Sequence, residues 1–145
     1  MEFIIKSFTE LTVTQLYDVL KLRSEIFVVE QNCVYLDADG KDEKAIHLLG
    51  YVDNKLVAYA RIFAPKVYFD NASIGRVVVA ANYRKHGYGL QLVAKAIEVC
   101  KQLYPGDITI SAQQYLERFY QSLGFRTISD MYLEDDIPHI EMLHE

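Results

Sequence analysis

Arg84-Lys85-His86-Gly87-Tyr88-Gly89 brings two basic side chains and a histidine together with two glycines, a composition suited to holding an anion. Gly87 and Gly89 let the main chain approach a ligand where a side chain would collide. A P-loop would need Gly-Lys-Ser/Thr after its first glycine, and no such tripeptide follows. A dinucleotide fingerprint would need a third glycine three residues after Gly89, and position 92 is Leu. The turn reads as a pyrophosphate cradle. A second group with chemical reach is His139, which follows Pro138; that proline restrains Ile137 to extended geometry and so fixes where the imidazole points. A strand-edge histidine bonded to backbone is the alternative. The acidic run Glu134-Asp135-Asp136 precedes it, and reads as a solvated loop unless it borders an amine site.

Other reactive residue types lack the spacing their chemistry needs. Serines, histidines and acids are present without a Gly-x-Ser-x-Gly elbow, which leaves a hydrolase triad unsupported. Asp37-x-Asp39-Gly40 has the start of a calcium loop, but the later ligand positions do not line up, so it reads as a solvated polar loop and no metal is expected. His47 opens an apolar strand and is expected to be structural. Cys100 falls on an apolar helical stripe and Cys33 follows a polar pair; neither has metal-ligand spacing, so both are expected as reduced thiols of a cytoplasmic protein.

The elements around the cradle give it a purpose. Ile74 to Val79 is apolar and β-branched apart from Gly75 and Arg76, which predicts a buried strand. After the turn, Val93, Ala96, Ile97, Cys100 and Leu103 recur at three- and four-residue spacing, the stripe of an amphipathic helix. Strand, glycine turn and helix together aim unpaired N–H groups and the positive end of a helix dipole at the ligand. Upstream, Phe3 to Phe8 predicts a strand. Thr12-Val13-Thr14-Gln15 has capping-box spacing and opens a helix to about Glu30, with Leu16, Leu20 and Phe27 on one face. Strands over Ile46–Val52 and Lys55–Phe63 meet at the turn Asp53-Asn54. Downstream come a strand from Asp107 to Ala112, a short helix from Gln114 to Leu123 stopped by Gly124, and a last strand pair, Phe125–Leu133 and His139–Leu143. The order is β-α-β-β-β-α-β-α-β-β.

The chain of 145 residues suits one domain, residues 1–145, and its 51% hydrophobic residues suit an ordinary folded core. A net charge of −5 offers no basic surface for nucleic acid, and no apolar run is long enough to span a membrane. No signal peptide precedes the first strand.

Arg84-x-x-Gly87-x-Gly89 after an apolar strand resembles motif A of the GCN5-related N-acetyltransferases (GNAT). Tyr120-Gln121-Ser122-Leu123-Gly124-Phe125 resembles a second hallmark of that family, a helix ending Tyr-x-x-x-Gly-Phe. The segment Arg23 to Cys33, Gly75-Arg76-Val77 and Ile137-Pro138-His139-Ile140 are similar to the ElaA-like branch. Ala81, Lys85 and His86 depart from the common pattern, with Lys85 standing where a glycine is usual. The resemblance implies an α/β fold: a mixed, mostly antiparallel sheet of about six to seven strands flanked by helices on both faces. It implies acetyl-CoA as co-substrate, with its pyrophosphate against Arg84, Lys85, His86, Gly87, Tyr88, Gly89 and Leu90.

The expected reaction is acetyl transfer from the thioester to a primary amine by direct attack in a ternary complex. An alkyl ammonium has a pKa near ~10.4, so a base must take its proton; His139 is the candidate. The family meets the developing oxyanion with backbone N–H of the segment matching Val77, Val78 and Val79. Tyr120 stands where the family carries a proton donor for the departing thiolate, the alternative being a core aromatic. A non-catalytic acyl-CoA-binding module on the same fold is the rival reading. The acceptor amine and the oligomeric state, a homodimer included, stay open.

Overall fold

The computed structural model describes all 145 residues. One sheet of eight strands organises them. In chain order these are β1 (Glu2–Ser7), β2 (Ile46–Val52), β3 (Lys55–Phe63), β4 (Ala72–Val79), β5 (Ile108–Gln113), β6 (Phe125–Thr127), β7 (Tyr132–Glu134) and β8 (Ile137–His144). Three α-helices accompany them: α1 (Val13–Arg23), α2 (Tyr88–Leu103) and α3 (Glu117–Gln121). The strand order is β1-β2-β3-β4-β5-β8-β6, with β7 also paired to β8. Every pairing is antiparallel except β4 with β5.

Alternation along the strands sends side chains to two cores. Leu48, Ala60, Ile74, Ile108 and Met142 pack with Leu92, Val93, Ala96 and Cys100 of α2 on one face. Leu49, Tyr59 and Val78, one residue out of phase, pack with Val19, Leu22 and Ile26 on the other. Fully burying a side chain such as Leu92 stabilises the fold by ~1.5–3 kcal/mol. The α2 stripe is centred on Leu92, Val93, Ala96, Val99 and Cys100, whereas Leu103 is largely exposed. The first helix turns Val19, Leu22 and Ile26 inward with Phe27 packed against them, whereas Leu16 and Leu20 stay half-buried at the margin.

Four local features differ from the sequence reading or sharpen it. The expected strand Phe125–Leu133 breaks in two because residues 128–131 bulge opposite β8. Between the pairs Thr127↔Met142 and Tyr132↔His139 the outer chain has four residues and β8 has two. Ile128 N–H and Ser129 Oγ satisfy the Glu141 carbonyl and amide there, each at 2.9 Å. The first helix does reach Glu30, but from Ser24 it widens into π-helical turns, with Gln31 N–H bonding back to Ile26 and Cys33 N–H to Val28. Asp53 and Asn54 both have positive φ, the hairpin geometry expected for a two-residue turn.

The largest correction concerns residues 31–44, read as a solvated loop. Its Asp37 and Asp42 are buried, and with Asp39 they neutralise three arginines, Arg23, Arg61 and Arg76. Arg23 is fully buried at the end of α1; its Nε donates to Asp37 and its Nη1 to Asp42, both at 2.8 Å. Arg61 Nη1 and Nη2 donate to the two Asp39 oxygens at 2.9 Å, and Nη1 also to Asp42. Burial works against charge on Arg23, but Asp42 and Asp37 outweigh it and hold the guanidinium above its ordinary value. Removing one member of such a buried network leaves a charge unpaired, at a cost of ~3–5 kcal/mol. His47 belongs to the same frame and is structural, as expected: Tyr59 Oη lies 2.5 Å from its Nδ1, and its Nε2 donates to the Asp42 carbonyl at 2.9 Å.

Candidate active site

β4 and β5 run parallel but pair only at Ala72↔Ile108 and Ser73↔Thr109. From Ile74 onward the two strands splay, and the edge of β4 that faces β5 has no ladder partner. The opening is a cleft of about 430 Å³. Its walls are β4 from Ile74 to Val79 and β5 from Ile110 to Gln113; the π-helical segment, α3 and the β7–β8 hairpin close it.

β4 is itself irregular within that wall. Tyr59 pairs with Val78 and Arg61 with Gly75, so Ala60 alone faces both Arg76 and Val77. This is a β-bulge, which leaves its extra residue outside the ladder. Arg76 takes the left-handed position at φ 49. For a residue with a Cβ that conformation costs ~1–2 kcal/mol. Ala80 N–H donates to the Val57 carbonyl and Val78 pairs with Tyr59, so by alternation the N–H groups of Val77 and Val79 point to the unpaired edge of β4, whereas that of Val78 points back at β3.

The cradle stands at one end of the cleft. Gly87 caps α2 at φ 77, and no side chain caps the first turn, so the N–H groups of Tyr88, Gly89 and Leu90 are free for an anion. A Cβ on Gly87 would meet nothing within 4 Å, so there is open space before the helix end. A Cβ on Gly89 would reach Phe119 at 3.9 Å and Val79 at 4.0 Å, at the cleft wall. Arg84 and Gly89 line the cleft, while Lys85, His86, Gly87, Tyr88 and Leu90 lie outside its lining on the same turn. Lys85 occupies a left-handed position at φ 66, the conformation glycine takes more readily. Arg84 does not stand free: its Nη1 is 2.6 Å from Glu30 Oε1.

Tyr120 and His139 both line the cleft, so the structure brings them together with Val77, Val78 and Val79. Tyr120 is edge-on to Phe119 and Phe125, and burial pushes its phenol above the ordinary value. His139 is buried on β8. Its Nδ1 is 2.7 Å from the Ile137 carbonyl, which can only accept, so the Nδ1 proton is placed. Nε2 then faces Glu134 Oε2 at 3.3 Å. Glu134 Oε1 accepts from Ser111 Oγ at 3.3 Å, and Ser111 Oγ lies 2.5 Å from Tyr132 Oη. Tyr132 stacks on the His139 ring. Burial, offset in part by the Ser111 bond, raises its phenol.

Of the acidic run, Glu134 and Asp135 line the cleft and Asp136 does not. Asp135 and Asp136 form the tight turn of the hairpin, both at positive φ. Cys33 also lines the cleft, its Sγ 3.5 Å from the Asp135 carbonyl, and Gln31 meets Gln113 at 3.3 Å. Ser111, Glu30 and Arg76 are polar lining residues to which the sequence pattern gives no site role. Cys100 is buried away from the cleft, where burial raises its thiol to about 11.

A family model for an acetyltransferase (GNAT) domain matches residues 25–145. A UPF0039 protein of Schizosaccharomyces pombe is 46% identical over 145 residues, covering 98% of this chain and 95% of that one. The crystal structure of Escherichia coli ElaA superposes with a TM-score of 0.93 at 42% identity, covering 99% of each chain. The crystal structure of an acyl-CoA N-acyltransferase from Pseudomonas aeruginosa superposes with a TM-score of 0.93 at 38% identity, covering 100% of each chain.

Proposed function

This chain belongs to the GNAT acetyltransferase family, and on that premise we propose that it transfers an acetyl group from acetyl-CoA to a primary amine by direct attack in a ternary complex. One observation carries the reading. A helix N-terminus with no side-chain cap, an unpaired strand edge, a buried tyrosine and a histidine–carboxylate pair all border one cleft. The family supplies an acyl thioester: the amine nitrogen forms the new bond to its carbonyl carbon as the carbon–sulfur bond breaks.

Each residue then has a distinct task. The N–H groups of Tyr88, Gly89 and Leu90 receive pyrophosphate oxygens, aided by the charge of Arg84, Lys85 and His86. The edge of β4 at Val77 and Val79 offers donors to the carbonyl oxygen as negative charge develops; a preorganised donor of this kind is worth roughly 3 kcal/mol. Tyr120 gives its proton to the departing sulfur. Its raised phenol keeps that proton on oxygen at neutral pH, and the phenoxide left behind recaptures one from water. His139 Nε2 and Glu134 accept the proton that the ammonium must lose, since Nδ1 is committed to the Ile137 carbonyl. Over one cycle the ammonium loses two protons: one stays on the free thiol and one goes to solvent.

The cytoplasmic assignment belongs to this proposal too, resting on two unpaired thiols; no helix is long and apolar enough to cross a membrane. The test is calorimetry with CoA, followed by thiol release from acetyl-CoA across a panel of amines. Binding with acceptor-dependent release is the expected result. Binding without release for any amine would leave a non-catalytic acyl-CoA module, and no binding would sink both readings.

A further inference from the structure

Arg76 is a lining residue to which the proposed reaction gives no task, and it sits at the bulge in the β4 wall of the cleft. It occupies the left-handed position of the β4 bulge, at φ 49. Left-handed backbone is unfavourable for arginine, so the conformation persists only where its surroundings hold it.

The side chain shows what holds it. Arg76 Nε is 3.0 Å from Asp37 Oδ1, an ion pair lying off the N–H direction rather than a directed hydrogen bond. Nη2 donates to the Asp37 carbonyl at 3.2 Å and lies 3.4 Å from Asp39 Oδ2. The guanidinium lies over the Tyr35 ring, 5.5 Å from its centre, and Tyr35 Oη donates to Asp37 at 2.7 Å. Asp37 and Asp39 cannot follow Arg76 if it moves, because Arg23 and Arg61 hold them from the other side. The bulge is therefore tied through a side chain to a rigid buried frame. It is not stabilised by strand pairing alone.

The geometry points to Arg76 as a positioning residue for acyl transfer. Clamped by Asp37 and Asp39, it keeps β4 bulged, so that Val77, which shares Ala60 as its one β3 partner with Arg76, turns its backbone donor to the cleft instead of the β3 ladder. This inference rests on the acyl-transfer reading for its catalytic consequence, but not for its structural one. The clamp acts where charge develops in the reaction, away from the cradle that holds the phosphates. Its loss should then lower kcat and leave the ground-state affinity for CoA alone.

The experiment uses the full chain with Arg76→Ala and Arg76→Lys, the second preserving charge without the planar fork. Expected for Arg76→Ala is a kcat at least tenfold lower with the best acceptor, a CoA Kd within twofold of wild type, and backbone chemical shifts at residues 75–78 that leave the left-handed bulge pattern. Arg76→Lys should recover part of the kcat and part of the shift pattern. Should Arg76→Ala fail to fold, the Lys variant carries the test, with kcat between wild type and one tenth of it. Unchanged kcat, or shifts showing the bulge intact in a variant without the clamp, overturns the proposal. If wild type proves inactive with every amine, that failure belongs to the acyl-transfer reading, and the chemical shifts alone decide the clamp.

Discussion

Arg84 Nη1 lies 2.6 Å from Glu30 Oε1, so the arginine of the phosphate turn is tied to the π-helical segment across the cleft mouth. Both side chains are about two-fifths exposed, at 42% and 40%, and such a pair is worth ~0.2–1 kcal/mol. Arg84 must weaken that contact to serve a phosphate. Glu30→Gln should therefore tighten CoA about two- to fivefold at low salt, and Arg84→Ala should loosen it by a similar factor. Calorimetry at two salt concentrations checks this; a Glu30→Gln variant that binds CoA more weakly than wild type would remove Arg84 from the cradle.

The cradle turn has two left-handed residues of opposite standing, Gly87 at φ 77 and Lys85 at φ 66. Gly87→Val forces a branched side chain into backbone it disfavours and into the open space before α2. A loss of ~1–3 kcal/mol in CoA affinity is expected. Lys85→Gly should do the reverse to stability, raising Tm by about 2–4 °C by relieving a strain of ~1 kcal/mol. Equal CoA affinity in a folded Gly87→Val variant would falsify the cradle assignment.

Tyr120→Phe removes one hydroxyl from a side chain otherwise fixed by Phe119 and Phe125. The packing survives, so stability should stay near wild type. If the phenol protonates the departing sulfur, kcat falls ~10²–10⁴-fold while CoA affinity holds. A variant that turns over normally would return Tyr120 to the core.

His139→Ala should lower kcat/KM for amines mainly below pH 8, where the unassisted amine is most protonated. Glu134→Gln should show the same profile, because the proton is accepted between Nε2 and Glu134. Asp135→Asn, at the exposed turn, should chiefly raise the acceptor KM and do so less at high salt. Superimposable pH–rate curves for wild type and His139→Ala would leave the histidine a purely structural role.

Acid should unfold the chain in two windows. Burial holds His47 below its ordinary 6.5. As pH falls through about 6.5 the unfolded chain takes a proton that the folded one refuses, and stability declines. Burial raises Asp39, but Arg61, the Lys41 amide and the Arg76 charge outweigh it, and the carboxyl titrates at about 2. Asp42 is held low by Arg23 and Arg61 against the same burial. Their contribution is complete above the unfolded value of 3.8; that of Asp39 is lost as pH falls from there toward 2, and that of Asp42 declines in the same direction. Urea midpoints measured from pH 8 to 2 test both windows: His47→Gln should flatten the upper decline and Asp39→Asn the lower.

Much of this was legible because it is local. A β-branched run, a glycine turn and a 3.6-residue stripe each declare themselves within a few residues, which is why β4, the start of α2 and the hairpin at Asp53-Asn54 stand where those signals place them. The Asp37–Asp42 loop hides its burial from the sequence because acidic loops ordinarily stay in water, and its arginine partners lie 14 to 39 residues away. The signal lay in the strands: Arg61 interrupts an apolar run, and a charge buried there requires a carboxylate from somewhere. Nothing in the local spacing marks the bulge. It arises from the pairing of β3 with β4, and Arg76 is its sign only once that register is known.

The splay of β4 from β5 has a thermodynamic consequence as well as a catalytic one. Two rungs join these parallel strands, so part of the sheet's continuity rests on the core around α2 and on contacts such as Gln31–Gln113. A ligand lying along the free edge of β4 supplies hydrogen bonds where a strand would have supplied them. Binding should then do more than raise stability by mass action, which gives ~2.7 kcal/mol at a hundredfold excess over Kd. It should slow hydrogen exchange in both halves of the sheet together, making one cooperative unit of strands that open separately without it.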